Sequence, residues 1–128
     1  MLQTNILHGR SVLVVEDEYL IAADLYVSLM DAGAMVVGPV STIGDALNEL
    51  QSRNDIDAAV VDLDLRGEDG SAVADALASR GIPFVFATAY SAMRVPERHA
   101  HVTMCGKPMD LRAVANVLAG KLGPPRET

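Results

Sequence analysis

The chain has 128 residues, half of them apolar, which is enough for one substantial core and too little for two domains. Its formal charge of −7, with the ten basic residues scattered, excludes a surface built for nucleic acid or anionic lipid, which needs clustered Lys and Arg. One cysteine, Cys105, cannot form an internal disulfide, no Cys or His pair has zinc-ligand spacing, and no apolar run reaches membrane-spanning length. A reduced, cytoplasmic, soluble protein is expected.

Residues 1–10 lack a hydrophobic signal core and read as a lead-in ending in Leu7-His8-Gly9-Arg10. From Ser11, short β-branched or aromatic runs alternate with longer segments of helical period. The runs are Val12 to Val15, Met35 to Val37, Ala58 to Val61, Phe84 to Ala87 and Val102 to Cys105. Their continuous apolar character predicts parallel strands buried on both faces.

Between the first two runs, Ile21, Leu25 and Leu29 mark one helical face. Ile43 with Leu47 and Ala46 with Leu50 mark the next, opened by a Thr42/Asp45 capping box. Gly33 and Gly81 stand where helices end in a left-handed residue. Ser71 to Arg80, with Val73 and Leu77, gives a third helix, and Asp110 caps a last one carrying Leu111, Val114 and Leu118. Ser91 to His101 is short, contains Pro96 and has little amphipathic pattern, so one or two distorted turns are expected there. Met30, Met35 and Met104 read as core filling, Cys105 as a small buried hydrophobe, and His8, His99 and His101 as surface or partner-contact residues. The alternation predicts a flavodoxin-like α/β fold, a parallel five-stranded sheet of order 2-1-3-4-5 spanning residues 11–122, with a shortened fourth helix and a tail at 123–128.

In such sheets the working site lies beyond the carboxyl ends of the strands. Those ends carry Glu16-Asp17-Glu18, Asp62-Leu63-Asp64, Thr88-Ala89-Tyr90 and Gly106-Lys107-Pro108. Carboxylates gathered in one crevice repel by roughly 4 kcal/mol per pair at about 4 Å and an effective dielectric near 20, and a hard divalent cation relieves that. Oxygen donors favour Mg²⁺, with Mn²⁺ or Ca²⁺ as substitutes. A lone ammonium, Lys107, and a hydroxyl, Thr88, suit the oxygens of a transferred phosphoryl group, and an aspartate can be its nucleophile.

These residues resemble the response-regulator receiver domains of two-component signalling. The resemblance covers Ser11 to Leu122 and rests on the acidic pair Glu16 and Asp17, Asp62 followed eight residues later by Gly70, Thr88, and Lys107-Pro108. It implies that Asp62 accepts a phosphoryl group from a histidine kinase or histidine phosphotransferase, and that Glu16, Asp17, Asp62 and the backbone carbonyl of Asp64 hold Mg²⁺. It also implies that Thr88 and Lys107 contact the phosphoryl group and that Pro108 follows a cis peptide. The string Phe86-Ala87-Thr88-Ala89-Tyr90 is similar to the Phe-Ala-Thr-Gly-Tyr receivers of alphaproteobacteria. Because Met104 stands where receivers carry an inward-turning aromatic, Tyr90 becomes the candidate switch aromatic. Arg66 stands where many receivers have proline. Output would pass by contact with another protein, from a monomer or weak homodimer.

Two other functions fit some of the residues. Asp62-Leu63-Asp64 could serve an aspartate-nucleophile phosphatase with the second Asp as acid/base, although such enzymes carry the motif on their first strand. A receiver-like docking module that is never phosphorylated is the other.

Overall fold

The computed structural model describes residues 5–88, 95–107 and 110–125. Strand β1 (Ser11–Val15) leads to helix α1 (Tyr19–Asp31), β2 (Met35–Val40), α2 (Ile43–Ser52) and β3 (Ala58–Asp62). A short hairpin follows, β4 (Asp64–Leu65) and β5 (Glu68–Asp69). Then come α3 (Ser71–Ser79), β6 (Phe84–Thr88), a 3₁₀ turn (Glu97–His99), β7 (Met104–Gly106) and α4 (Leu111–Leu122). Five strands form one parallel sheet in the order β2-β1-β3-β6-β7, the flavodoxin-like order expected.

Alternation along each strand sends side chains to two cores. Leu13, Val15, Ala59, Val61, Phe84 and Phe86 pack under α2 and α3, whereas Val12, Val14, Val60, Val85 and Ala87 pack under α1 and α4. The caps form as expected: Thr42 Oγ1 accepts from the Asp45 N–H at 3.0 Å, and Asp110 Oδ1 accepts from the Ala113 N–H at 3.3 Å. Gly33 and Gly81 adopt φ of 97° and 68°, the left-handed region where a Cβ is penalised.

Three expectations need correction. The runs are not all buried on both faces: β1, β3 and β6 are, but β2 and β7 are the sheet edges, and β2 buries only Val37. Met30 and Met35 are accordingly exposed rather than core, Met30 on the outer side of α1 and Met35 on the edge strand, while Met104 does pack against the α2/α3 core. His99 is buried, not a surface residue; its ring sits edge-on to Phe84 and Phe86, with centroids 5.9 and 6.1 Å away. The short hairpin after Asp62 pairs Asp64 with Asp69 and Leu65 with Glu68 in antiparallel register.

The interval between β6 and β7 carries, among the described residues, a single 3₁₀ turn where a full helix would lie. His99, the last residue of that turn, is buried. Its Nε2 lies 2.7 Å from Asp75 Oδ1 on α3, and since a carboxylate only accepts, the ring N–H donates. Arg98 adds a bidentate pair to the same carboxylate at 2.8 and 2.9 Å. Leu7, in the lead-in, is fully buried in the α1/α4 core, and its N–H donates to the Ala32 carbonyl. Cys105 is partly buried, and that burial pushes its thiol pKa up, away from reactivity. No helix among the described residues is long and apolar enough to cross a membrane.

Candidate functional site

The carboxyl ends of β1, β3, β6 and β7 meet at one edge of the sheet. β1 ends where the Glu16 N–H donates to the Val40 carbonyl, and β6 passes to β7 through the Lys107 N–H donating to the Thr88 carbonyl at 2.9 Å. This register brings together Glu16, Asp17, Asp62, Thr88 and Lys107 from positions scattered over 92 residues of sequence. Glu16, Asp62 and Thr88 are buried; Asp17 is half-buried.

Lys107 is the hub. Its Nζ donates to Asp62 Oδ2 at 2.9 Å, Glu16 Oε2 at 3.1 Å and Glu18 Oε1 at 2.7 Å. Glu18 was not among the residues singled out by motif; its adjacency to the acidic pair was the available signal. The second Asp62 oxygen, Oδ1, accepts the Asp64 N–H at 2.9 Å, and Glu16 Oε2 also accepts the Glu18 N–H at 3.0 Å. Asp64 thus meets the site through its backbone, while its exposed carboxylate turns away to accept the Gly67 N–H at 2.9 Å. Gly70 closes the floor. A Cβ there would lie 2.5 Å from the Asp62 carbonyl oxygen, so the eight-residue interval from Asp62 to glycine has a steric cause.

Burial governs the electrostatics. It raises Glu16 to a pKa of about 7 against the backbone hydrogen bond from Glu18, with the nearby Asp62 charge adding to the rise. Burial raises Asp62 as well, opposed by the Asp64 N–H and Lys107. Burial works against the charge on Lys107, but its hydrogen bonds to Glu18, Asp62 and Glu16 outweigh that and push its pKa up.

One oxygen from each of Glu16, Asp17 and Asp62 can be chosen so that all lie within 4.8 Å of one another. Glu16 Oε1 is buried; it lies 3.0 Å from the ammonium but off its hydrogen-bonding direction and is left without a hydrogen-bond partner. An orphaned hard oxygen on Glu16, beside the carboxylates of Asp17 and Asp62, fits a small divalent cation such as Mg²⁺. Tyr90 and Pro108 lie outside the described residues.

A doubly wound parallel sheet that gathers an acidic triad, a lysine and a threonine at its carboxyl edge defines a flavodoxin-like α/β protein with an acidic site beyond the ends of its strands. The family profile of the response regulator receiver domain matches residues 12–117, and the chain belongs to that family. Among solved structures, the solution structure of SdrG from Sphingomonas melonis Fr1 is 41% identical with a TM-score of 0.78, covering 92% of this chain and 98% of that one. The BeF3-activated conformation of SdrG from Pseudomonas melonis Fr1 is 42% identical with a TM-score of 0.72, covering 88% and 96%. The response regulator PhyR from Brucella abortus, 24% identical with a TM-score of 0.76, shares the fold over 93% of this chain and 50% of its own. The SdrG relatives are consistent with the alphaproteobacterial type. A search among curated proteins returns no match.

Proposed function

We propose that the protein is a phosphorylation-driven signalling switch in which Asp62 takes a phosphoryl group from the phosphohistidine of a kinase or phosphotransferase. The observation that carries this reading is the suspension of the buried Asp62 carboxylate between the Asp64 N–H and the Lys107 ammonium, beside the orphaned Glu16 oxygen. A nucleophile fixed at both oxygens is already oriented and loses little freedom on reaction. Its neighbours supply the positive charge that a phosphoryl group needs.

Glu16, Asp17, Asp62 and the Asp64 carbonyl would hold Mg²⁺, or Mn²⁺, which when bound supplies charge neutralisation for incoming phosphoryl oxygens. Lys107 would then exchange its bond to Asp62 Oδ2 for one to a phosphoryl oxygen, and the Thr88 hydroxyl would take another. Phosphorylation adds about −1.5 to −2 charges, and that change drives the rearrangement which a partner reads. Tyr90 is proposed as the aromatic that reports it, on the sequence resemblance alone. The protein acts in the cytoplasm as a stoichiometric switch. The phosphatase alternative is disfavoured because the Asp64 carboxylate caps the hairpin turn at Gly67, where it cannot serve as acid/base for Asp62.

Two-dimensional NMR of labelled protein with beryllofluoride and Mg²⁺ tests this. Amide shifts at Asp62, Thr88 and Lys107 that saturate at one equivalent and vanish in Asp62→Asn are expected. Multiple turnover of a generic phosphate ester would instead indicate the phosphatase, and absence of any response would leave the docking module.

A further inference from the structure

The β4–β5 hairpin turns on two residues, Arg66 and Gly67, with φ of 54° and 85°. Positive φ at both positions is the requirement of a type I′ turn, whose first position ordinarily takes Asn, Asp or Gly. Arginine is not selected by that backbone, and it is the one non-glycine residue with positive φ among the described residues. The turn is pinned by Asp64 Oδ1, which accepts the Gly67 N–H, so the Arg66 backbone is fixed beside the site.

The Arg66 side chain meets Asp17. Arg66 Nε lies 3.7 Å from Asp17 Oδ2, and Arg66 lines a cavity of about 490 Å³ together with Glu16, Asp17, Tyr19, Pro39 and Ser41. Lys107 contacts Glu16, Glu18 and Asp62. Asp17 lies outside that set and meets Arg66 instead. A backbone conformation disfavoured for arginine and a cation placed on a candidate metal ligand are independent observations, and each alone has a plainer cause. Together they point to a role at the site.

We propose that Arg66 is a resident counter-cation for Asp17 that sets the affinity of the acidic site for a divalent ion. In the ion-free protein it screens the Asp17 charge, and it gives way when Glu16, Asp17 and Asp62 close on the metal. This rests on reading the triad as a divalent-cation site. Arg66 is mostly exposed, so its hold on Asp17 is weak and salt-sensitive. It would tune the affinity and leave the site open to the ion.

The test is a titration with Mg²⁺ alone, followed by amide shifts of residues 16–18, in wild type, Arg66→Gln and Arg66→Asn. Both variants remove the charge, and Asn in addition suits the left-handed turn. Both should bind Mg²⁺ about 2- to 5-fold more tightly than wild type at low ionic strength, the range set by an exposed ion pair. The difference should collapse in high salt. Equal or weaker binding by the variants would overturn the proposal, as would tightening in Arg66→Asn alone, which would assign the effect to the backbone. If no protein in the set takes up Mg²⁺, the cation site itself fails and this inference with it.

Discussion

Lys107 reaches across the sheet edge from the end of β7 to within 2.9 Å of Asp62 Oδ2 at the end of β3, and the same ammonium touches Glu16 and Glu18. A single cation therefore holds three carboxylates, and its removal leaves the two buried ones, Glu16 and Asp62, uncompensated. Lys107→Met should destabilise the Mg²⁺-free protein by about 3 kcal/mol at pH 8, the usual cost of breaking a buried ion pair. At pH 5, where the carboxylates take up protons, the loss should shrink. Urea unfolding at both pH values checks this.

Glu16 gives the pH dependence its sign. Its folded pKa of about 7 lies above its usual 4.5, so the native state holds the proton more tightly than the unfolded chain. The associated stability is complete below pH 4.5 and lost as pH rises through about 7. Asp62, raised in the same direction, adds to the trend. In chelator-treated protein the unfolding midpoint should fall from pH 5 to pH 8, and Glu16→Gln should flatten that fall. Saturating Mg²⁺ should restore much of the lost stability at pH 8, because the ion binds the native state.

Asp75 acts at the opposite end of the scale. Hydrogen bonds from Arg98, then His99, hold it at about 2, below the ordinary 3.8. Its contribution is present above pH 3.8 and lost as pH falls through about 2. Asp75→Asn should leave the site's phosphoryl chemistry intact while removing part of the acid-side slope between pH 4 and 2. Because Asp75 is solvent-exposed, the effect should also weaken in salt.

Gly70→Ala should destabilise by about 1–3 kcal/mol, since the methyl meets the Asp62 carbonyl oxygen at 2.5 Å and backbone must move. Gly44→Ala, in α2 with open space around it, should be neutral or mildly stabilising. If both substitutions cost the same, packing beneath Asp62 is not what fixes glycine at position 70. Thermal unfolding of the two variants decides it.

The pattern of strands and helices was legible because each buried strand is a continuous apolar run ending abruptly in polar residues, as Val12 to Val15 ends at Glu16. The site followed from those ends. Exposure at the sheet edges was not legible, because Met35 is as apolar as any core residue and only strand order places it at an edge. His99 was missed for a related reason: its burial depends on Phe84, Phe86 and Asp75, all distant in sequence and brought to it only by the fold. The β4–β5 hairpin was hidden by Arg66, which carries none of the usual turn signal. Glu18 needed geometry, since three adjacent acids do not reveal which of them Lys107 reaches.

The phosphoacceptor assignment is tested most directly by intact-mass spectrometry after incubation with a small acyl phosphate and Mg²⁺. A single phosphoryl adduct per chain is predicted, absent without the metal and absent in Asp62→Asn. An adduct that persists in Asp62→Asn, or none in the wild type at saturating donor, would contradict the assignment.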